Sequence, residues 1–273
     1  MNVKIHPSAF VSPNAQIGEN VSIGPCAMIE DDVIIGDNCD IHAFASIKQY
    51  THMGRGNTIH SYAMVGGVPQ DLKFAGEVSY LEIGDNNNIR EFSTLHRGTE
   101  GGGGRTRIGS NNLIMAYCHV AHDCVLGNYI VMSNNATLAG HVSLGDHAIV
   151  GGLSAVHQFC RVGQGAFVGG MTGIGQDVAP YMMAVGSRGG IHGPNLVGLR
   201  RLKVPSSTVN AVRNAFRLIW LSDLPRQEAL DKVAQEHADV PEVLEIVEFV
   251  RSSGQRGVLP AVRATDLKND PLG

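Results

Sequence analysis

Ile17-Gly-Glu-Asn-Val-Ser-Ile23-Gly-Pro-Cys-Ala-Met-Ile29-Glu-Asp-Asp-Val-Ile-Ile35-Gly-Asp-Asn-Cys-Asp-Ile41 carries an isoleucine at every sixth position. The register starts at Ile5 and Val11 and holds through Ile47, Met53 and Ile59 to Val65. It resumes at Ile83, Ile89 and Leu95, and again from Ile108 to Ile174, making 26 hexads that each begin with an aliphatic residue or Met. Gly follows directly in 13 of them, and the fifth position is mostly small or β-branched, as at Ala9, Ala15, Val21, Ala27 and Ala45. A period of six fits neither the 3.6 of an α-helix nor simple strand alternation. It fits a parallel β-helix in which three hexads make one 18-residue coil and the repeating residue points inward. With stacked strands ~4.8 Å apart, roughly nine coils give a rod on the order of 45 Å long. Turn glycines and small fifth-position residues are expected to allow the corners.

The register breaks twice, over 68–82 and over 100–107. Breaks in a solenoid are loops projecting from its side, where function often resides. The Gly101–Gly104 run lacks the Lys-Ser/Thr and helix of a phosphate-binding loop and reads as a flexible tether. Residues 1–190 form the expected solenoid. A second region, 191–273, reads as a small α-helical domain: Ser207–Trp220 has helical spacing, and the segments from Pro225 and Pro241 each carry Pro near the first turn. The tail 258–273 shows no periodicity and is expected to be disordered. Of the 34 glycines, 31 precede residue 199, whereas 11 of the 21 Lys and Arg lie from Arg200 onward.

Composition narrows the classes of function. The net charge of −4 offers no bulk attraction for nucleic acid or acidic membranes. No apolar run is long enough for a membrane span, and the mixed N-terminus does not read as a secretory signal. Five Cys without a CxxC pair fit a reducing compartment, so a cytoplasmic protein is expected. Cys39, Cys118, Cys124 and Cys160 sit at the fifth position and read as buried small apolar residues, not nucleophiles or ligands.

The histidines carry the chemical signal. Hexads starting at 108, 126, 144 and 162 define a first face, 114, 132, 150 and 168 a second, and 120, 138, 156 and 174 a third. His122, His141 and His157 then fall on successive third-face hexads, with His119 just before His122. His96 joins them if the Gly-rich loop is a side insertion, while His147 lies elsewhere. Any one of these reads most simply as a solvated surface residue. Five along one edge beside two loops point to general-base chemistry, since imidazole titrates near neutrality. Asp123 could orient His122, and the Gly140 N–H, one coil on, could meet a developing oxyanion. Zinc is the rival use of such a cluster, and spacing does not decide between them.

The hexads, Gln70-Asp71-Leu72-Lys73, Leu95-His96-Arg97-Gly98-Thr99 and His119-Val-Ala-His122-Asp123-Cys124 together resemble the UDP-N-acetylglucosamine acyltransferases that begin lipid A synthesis. Asn134 to His141, Ala155-Val-His157-Gln158-Phe159 and the C-terminal helices match as well, so the resemblance covers about residues 1–257. It implies a left-handed β-helix and a homotrimer with sites between subunits. It also implies transfer of an (R)-3-hydroxyacyl group from acyl carrier protein to the sugar 3-position, with no cofactor or metal. Carried over by residue, His122 is the base, Asp123 orients it, and the Gly140 N–H holds the oxyanion. Gln70, Asp71, Lys73, His96, His119, His141, His157 and Gln158 line the sugar-nucleotide and acyl pocket. Asn195 and Arg201 contact the nucleotide, and Gly170 occupies the chain-length position. Arg200, Arg201, Lys203, Arg213 and Arg217 could meet the acidic carrier or simply form a solvated helical face. Val197 stands where the family often has an acidic residue, and Leu202 replaces a second Arg. A zinc hydratase on the same solenoid, or a 3-amino acceptor giving an amide, are the alternatives.

Overall fold

The computed structural model describes residues 3–262. Each hexad supplies a strand of about two residues ending in the repeating aliphatic one, as in Ser22–Ile23, Asp40–Ile41 and Thr58–Ile59. These strands pair in parallel and in register, Ile23 with Ile41 and Ile41 with Ile59. Like residues therefore stack one coil apart, and the chain winds a left-handed parallel β-helix. The first, second and third faces are sheets of eight, eleven and nine strands. Ile29, Ile35, Ile41 and Ile47 are buried, each worth about 1.5–3 kcal/mol relative to exposure. Ile5 departs from the pattern at 47% exposed, because its strand is the end of its sheet and, among the described residues, none pairs beneath it.

The corners differ in one respect from the sequence expectation. The residue in the left-handed backbone region is the fourth of the hexad and is seldom Gly: Asn38 (φ 58°), Phe44 (φ 60°) and His141 (φ 61°) are examples. Its N–H donates to a carbonyl one coil earlier, Asn38 to Glu19 at 2.8 Å and Phe44 to Pro25 at 3.0 Å, which supports a conformation side chains otherwise avoid. The second-position glycines serve coil stacking instead. A Cβ on Gly36 would lie 2.6 Å from the carbonyl carbon of Gly54, so adjacent backbones could not close to hydrogen-bonding distance.

Not every inward fifth position is apolar. Asn57, Asn87 and Asn112 form a buried column in which the Asn57 Oδ1 accepts from the Asn87 backbone at 2.9 Å. The Asn87 Oδ1 accepts from Asn112 N–H in the same way, at 3.0 Å. Their amide nitrogens donate to Gly84, Gly109 and Gly127 carbonyls, which removes the cost of burying a polar group.

Both register breaks leave the corner between the third and first faces. One joins Met64–Gly67 to Tyr80–Ile83, the other Thr94–His96 to Arg105–Ile108. The glycine run is not the loose tether its composition suggests. Glu100–Gly102 forms a 3-10 turn, Gly104 N–H donates to Thr99 at 2.7 Å, and the Gly104 carbonyl accepts from Tyr80 at 2.8 Å.

At the far end, Met182–Val185 turns back antiparallel onto Gly190–Pro194. Four helices follow: α1 (Leu196–Arg201), α2 (Ser206–Phe216, continued by a π turn over Arg217–Leu221), α3 (Arg226–Glu236) and α4 (Pro241–Arg251). Val212, Phe216, Trp220, Leu230, Val243 and Val247 bury their common apolar faces. The tail is ordered where it is described. Val258 and Ala261 bridge to Asp177 and Ile191, and Trp220 Nε1 donates to the Leu259 carbonyl at 3.0 Å. The remainder of the expected disorder, 263–273, lies outside the described residues. Among the described residues no helix is long and apolar enough to cross a membrane.

Candidate active site

Parallel stacking converts a sequence interval into a spatial column. Leu95 pairs with Val120 and Val120 with Leu138, so His96, His122 and His141 rise along one corner, and His119 lies on the adjoining strand rather than in the corner itself. The rings meet edge to face, His96 with His119 at 4.9 Å and His122 with His141 at 5.3 Å between centroids. Phe159 closes the column by stacking on His141 at 4.4 Å. His147 is elsewhere, stacked on Tyr129.

His122 and Asp123 form the tightest pair. His122 Nδ1 lies 2.7 Å from Asp123 Oδ2, and the carboxylate is nearly sealed, with 1% of its side chain exposed. An ionised Asp only accepts hydrogen bonds, so Nδ1 carries the hydrogen and Nε2 is left as the basic nitrogen. Asp123 also accepts from the Thr99 N–H at 2.8 Å and the Thr99 hydroxyl at 2.7 Å. His141 Nε2 stands 3.7 Å from the same carboxylate. Gly140 permits this arrangement, since a Cβ there would lie 2.7 Å from His122 Cε1. Any larger residue would push the imidazole off the next coil.

Burial governs the electrostatics of the neighbouring rings. Burial pushes His96 down to about 4, reinforced by His119 and His122. Burial also lowers His119, with His122 adding to it. His141 is lowered by burial, partly offset by Asp123. These rings are neutral at physiological pH and act as hydrogen-bonding walls. His119 Nδ1 pairs with the Thr94 hydroxyl at 2.7 Å. The fifth-position thiols match their reading as inert: burial raises Cys118 and Cys160 to about 11 and Cys124 to about 12.

His122, Asp123 and His141 could in principle present ligand atoms to a metal, all within 4.8 Å of one another. The donor set fits poorly. Asp123 Oδ2 already accepts from both the Thr99 hydroxyl and His122 Nδ1, and a cation on that oxygen would compete with both bonds.

The other site residues expected from sequence divide by location. Asp71 is near enough to influence His141, and its Oδ1 accepts from Lys73 N–H at 3.0 Å. Gln70 and Lys73 are exposed on the same loop. His157 and Gln158 are exposed at the top of the histidine corner, where His157 Nδ1 donates to the Gln158 carbonyl at 3.2 Å. Three residues are not brought to this corner within one chain. Gly170 lies between the second and third faces. Asn195 caps α1, accepting from Gly198 N–H and donating to the Gly165 carbonyl, each at 2.9 Å, which places it and Arg201 beside the first-to-second corner. Val197 is exposed, and so are Arg200, Lys203, Arg213 and Arg217.

Sequence reasoning gave no role to Thr94, Thr99, Thr106 or Arg97. Arg97 is buried, its guanidinium 5.6 Å from the Phe74 ring and 5.4 Å from the Tyr50 ring, and so pins the first loop to the solenoid. The signal was the Leu95–Thr99 segment at a register break.

Comparison with known proteins accords with this geometry. Residues 177–259 match the family model described as Udp N-acetylglucosamine O-acyltransferase, domain 2. Hexapeptide transferase repeats match over 1–31, 14–49 and 105–140. The acyl-[acyl-carrier-protein]–UDP-N-acetylglucosamine O-acyltransferase of Burkholderia mallei is 50% identical over 94% of this chain and 99% of its own. The chain belongs to the UDP-N-acetylglucosamine O-acyltransferase family. Solved acyltransferases of this family agree in three dimensions. LpxA from Acinetobacter baumannii superposes with a TM-score of 0.91 at 41% identity, covering 93% of this chain and 99% of that one. The Bacteroides fragilis enzyme gives 0.91 at 43% identity over the same shares.

Proposed function

We propose that this acyltransferase moves an (R)-3-hydroxyacyl group from acyl carrier protein to the 3-hydroxyl of UDP-N-acetylglucosamine, the first step of lipid A synthesis. The observation that carries the mechanism is the buried His122–Asp123 pair with Nε2 left basic. In this reading Nε2 removes the proton from the sugar hydroxyl as its oxygen attacks the thioester carbonyl. The C–O bond forms, the tetrahedral oxyanion is met by the Gly140 N–H, and the C–S bond then breaks. His122 returns the proton to the departing thiolate, and Asp123 stabilises the transient imidazolium. Among the described residues no hydrogen bond is made by the Gly140 N–H, which supports the oxyanion role.

His96, His119, His141, His157 and Gln158, with Gln70, Asp71 and Lys73 from the loop, would surround the sugar and the pyrophosphate. Gly170, Asn195 and Arg201 lie on other corners, so a pocket that includes them draws on neighbouring copies, as a homotrimer would supply. Arg213 and Arg217 flank a groove of about 690 Å³ beside His237. With Arg200, Arg201 and Lys203 they make a basic end suited to an acidic carrier. A cytoplasmic enzyme accords with donor and acceptor.

The test is mass spectrometry of products after offering carrier-bound acyl chains of several lengths with UDP-N-acetylglucosamine or its 3-amino analogue. An ester at the 3-position is the expected product; exclusive amide formation would move the acceptor to the amino sugar. Turnover should survive exhaustive chelation, whereas loss on chelation and recovery with zinc would sink the metal-free mechanism.

A further inference from the structure

The glycine-rich insertion ends on the carboxylate that orients the base. Two hydrogen bonds from Thr99 hold it, the N–H to Oδ1 at 2.8 Å and the hydroxyl to Oδ2 at 2.7 Å. From the other flank of the insertion, the buried Thr106 Oγ1 accepts the Asp123 N–H at 2.7 Å, steadying a backbone at φ 61°. Between them Gly102 lies directly over the carboxyl group, and a Cβ there would come within 2.0 Å of Asp123 Cγ. The loop leaves no room for a side chain above the carboxylate.

We propose that Thr99 is a positioning residue for the His122–Asp123 pair, and that residues 99–106 form a fixed clamp on Asp123. This rests on His122 being the base. A buried carboxylate needs donors to remain ionised, and here the fold supplies them from Thr99 instead of solvent. With Oδ1 tied to the Thr99 backbone and Oδ2 shared between the Thr99 hydroxyl and His122, the carboxylate has one orientation. That orientation fixes the imidazole tautomer, so Nε2 faces the substrate side unprotonated. Sequence composition makes the glycine run look passive. In the structure, glycine is the residue that lets the loop touch the carboxylate.

The test compares Thr99→Val, Thr99→Ser and Gly102→Ala with wild type, using carrier-bound donor and UDP-N-acetylglucosamine, with thermal melts run alongside. T99V should lower kcat by about tenfold to a hundredfold with KM for the nucleotide sugar within about twofold, since Thr99 is buried and spends its hydroxyl on Asp123. The acid limb of its kcat/KM profile should move to higher pH, because a carboxylate that loses a donor holds a neighbouring proton more strongly. T99S, which keeps the hydroxyl, should restore both. G102A should lower kcat as well, because its methyl would press on the Asp123 carboxylate; it carries the test if T99V fails to fold, and wild-type kcat in a folded G102A would then overturn the clamp. Wild-type kcat and acid limb in T99V, or no recovery in T99S, would overturn the clamp. His122→Ala measured in parallel separates the two ideas. An active H122A sinks the base assignment and the clamp with it; an inactive H122A beside an unaffected T99V sinks the clamp alone.

Discussion

Two corners of the same prism use the same backbone slot for opposite ends. Between the third and first faces, the left-handed fourth position is Asp123, His141 and Phe159, each one coil above the last. Between the second and third faces it is Phe44, Tyr62, Phe92 and Tyr117, whose rings stack at 5.0, 5.1 and 4.9 Å. Both corners use the same carbonyl contact one coil back, as His141 to His122 and Phe44 to Pro25 show, with Asp123 the exception that donates to Thr106 Oγ1 instead. What differs is the cover. The glycine-rich insertion packs onto the histidine corner and buries Asp123, whereas the aromatic rings remain about half exposed. The solenoid thus provides a scaffold of equivalent positions, and an insertion turns one column of them into a site by withdrawing water.

The largest expected effect breaks the histidine corner at its centre. His122→Ala should lower kcat by about two to four orders of magnitude, the usual range for a general base, with the melting temperature little changed. Gly140→Ala comes next. Its methyl would meet His122 at 2.7 Å and displace the ring, so a loss of about tenfold to a hundredfold is expected. Steady-state kinetics at saturating acceptor reads both. Wild-type turnover in G140A would show that the imidazole need not lie against the next coil.

That contrast also marks how far the sequence could be read. The six-residue register located the histidine corner, because stacking copies a periodic pattern into space without rearrangement; the aromatic column follows the same register but was not read from it. The register placed His96 on the third face across an insertion, an inference the pairing of Leu95 with Val120 matches. Asn57, Asn87 and Asn112 were hidden by the same regularity, since an amide at an inward position looks like an exception until its neighbours are seen to be amides too. Thr99 was invisible for a different reason. Its partner Asp123 is 24 residues away through a loop with no periodicity, and composition alone made that loop appear slack. Gly170, Asn195 and Arg201 lie on other corners of one chain, so no register could bring them together.

A third prediction concerns pH. His96 falls from an ordinary value near 6.5 to about 4, chiefly through burial, while the unfolded chain keeps the ordinary value. Protonation therefore favours unfolding. The stability His96 contributes as a neutral ring is present above pH ~6.5 and is lost as pH falls toward 4, on the order of 3 kcal/mol across that window. Urea unfolding of wild type and His96→Asn at pH 7 and pH 4.5 reads it. The drop between the two pH values should be smaller in the variant. An equal drop would mean that His96 gains a charge-stabilising partner on protonation.

The smallest effect tests the aromatic corner. Tyr62 stacks on Phe44 below and Phe92 above, and each such pair is worth about 0.5–1.5 kcal/mol beyond its buried area. Tyr62→Ala should therefore cost about 1–3 kcal/mol and lower the melting temperature by several degrees, with turnover unchanged. Phe44→Ala breaks one stacked pair instead of two and should cost about half as much. A double-mutant cycle between Phe44 and Tyr62 should return a coupling within the single-pair range. If turnover fell with stability in Tyr62→Ala, the two corners would not be independent uses of one scaffold. The aromatic ladder would then hold the coil spacing on which the distance between His122 and Gly140 depends, and the effect on kcat should grow from Phe44 toward Tyr117, the ring nearest the catalytic coil.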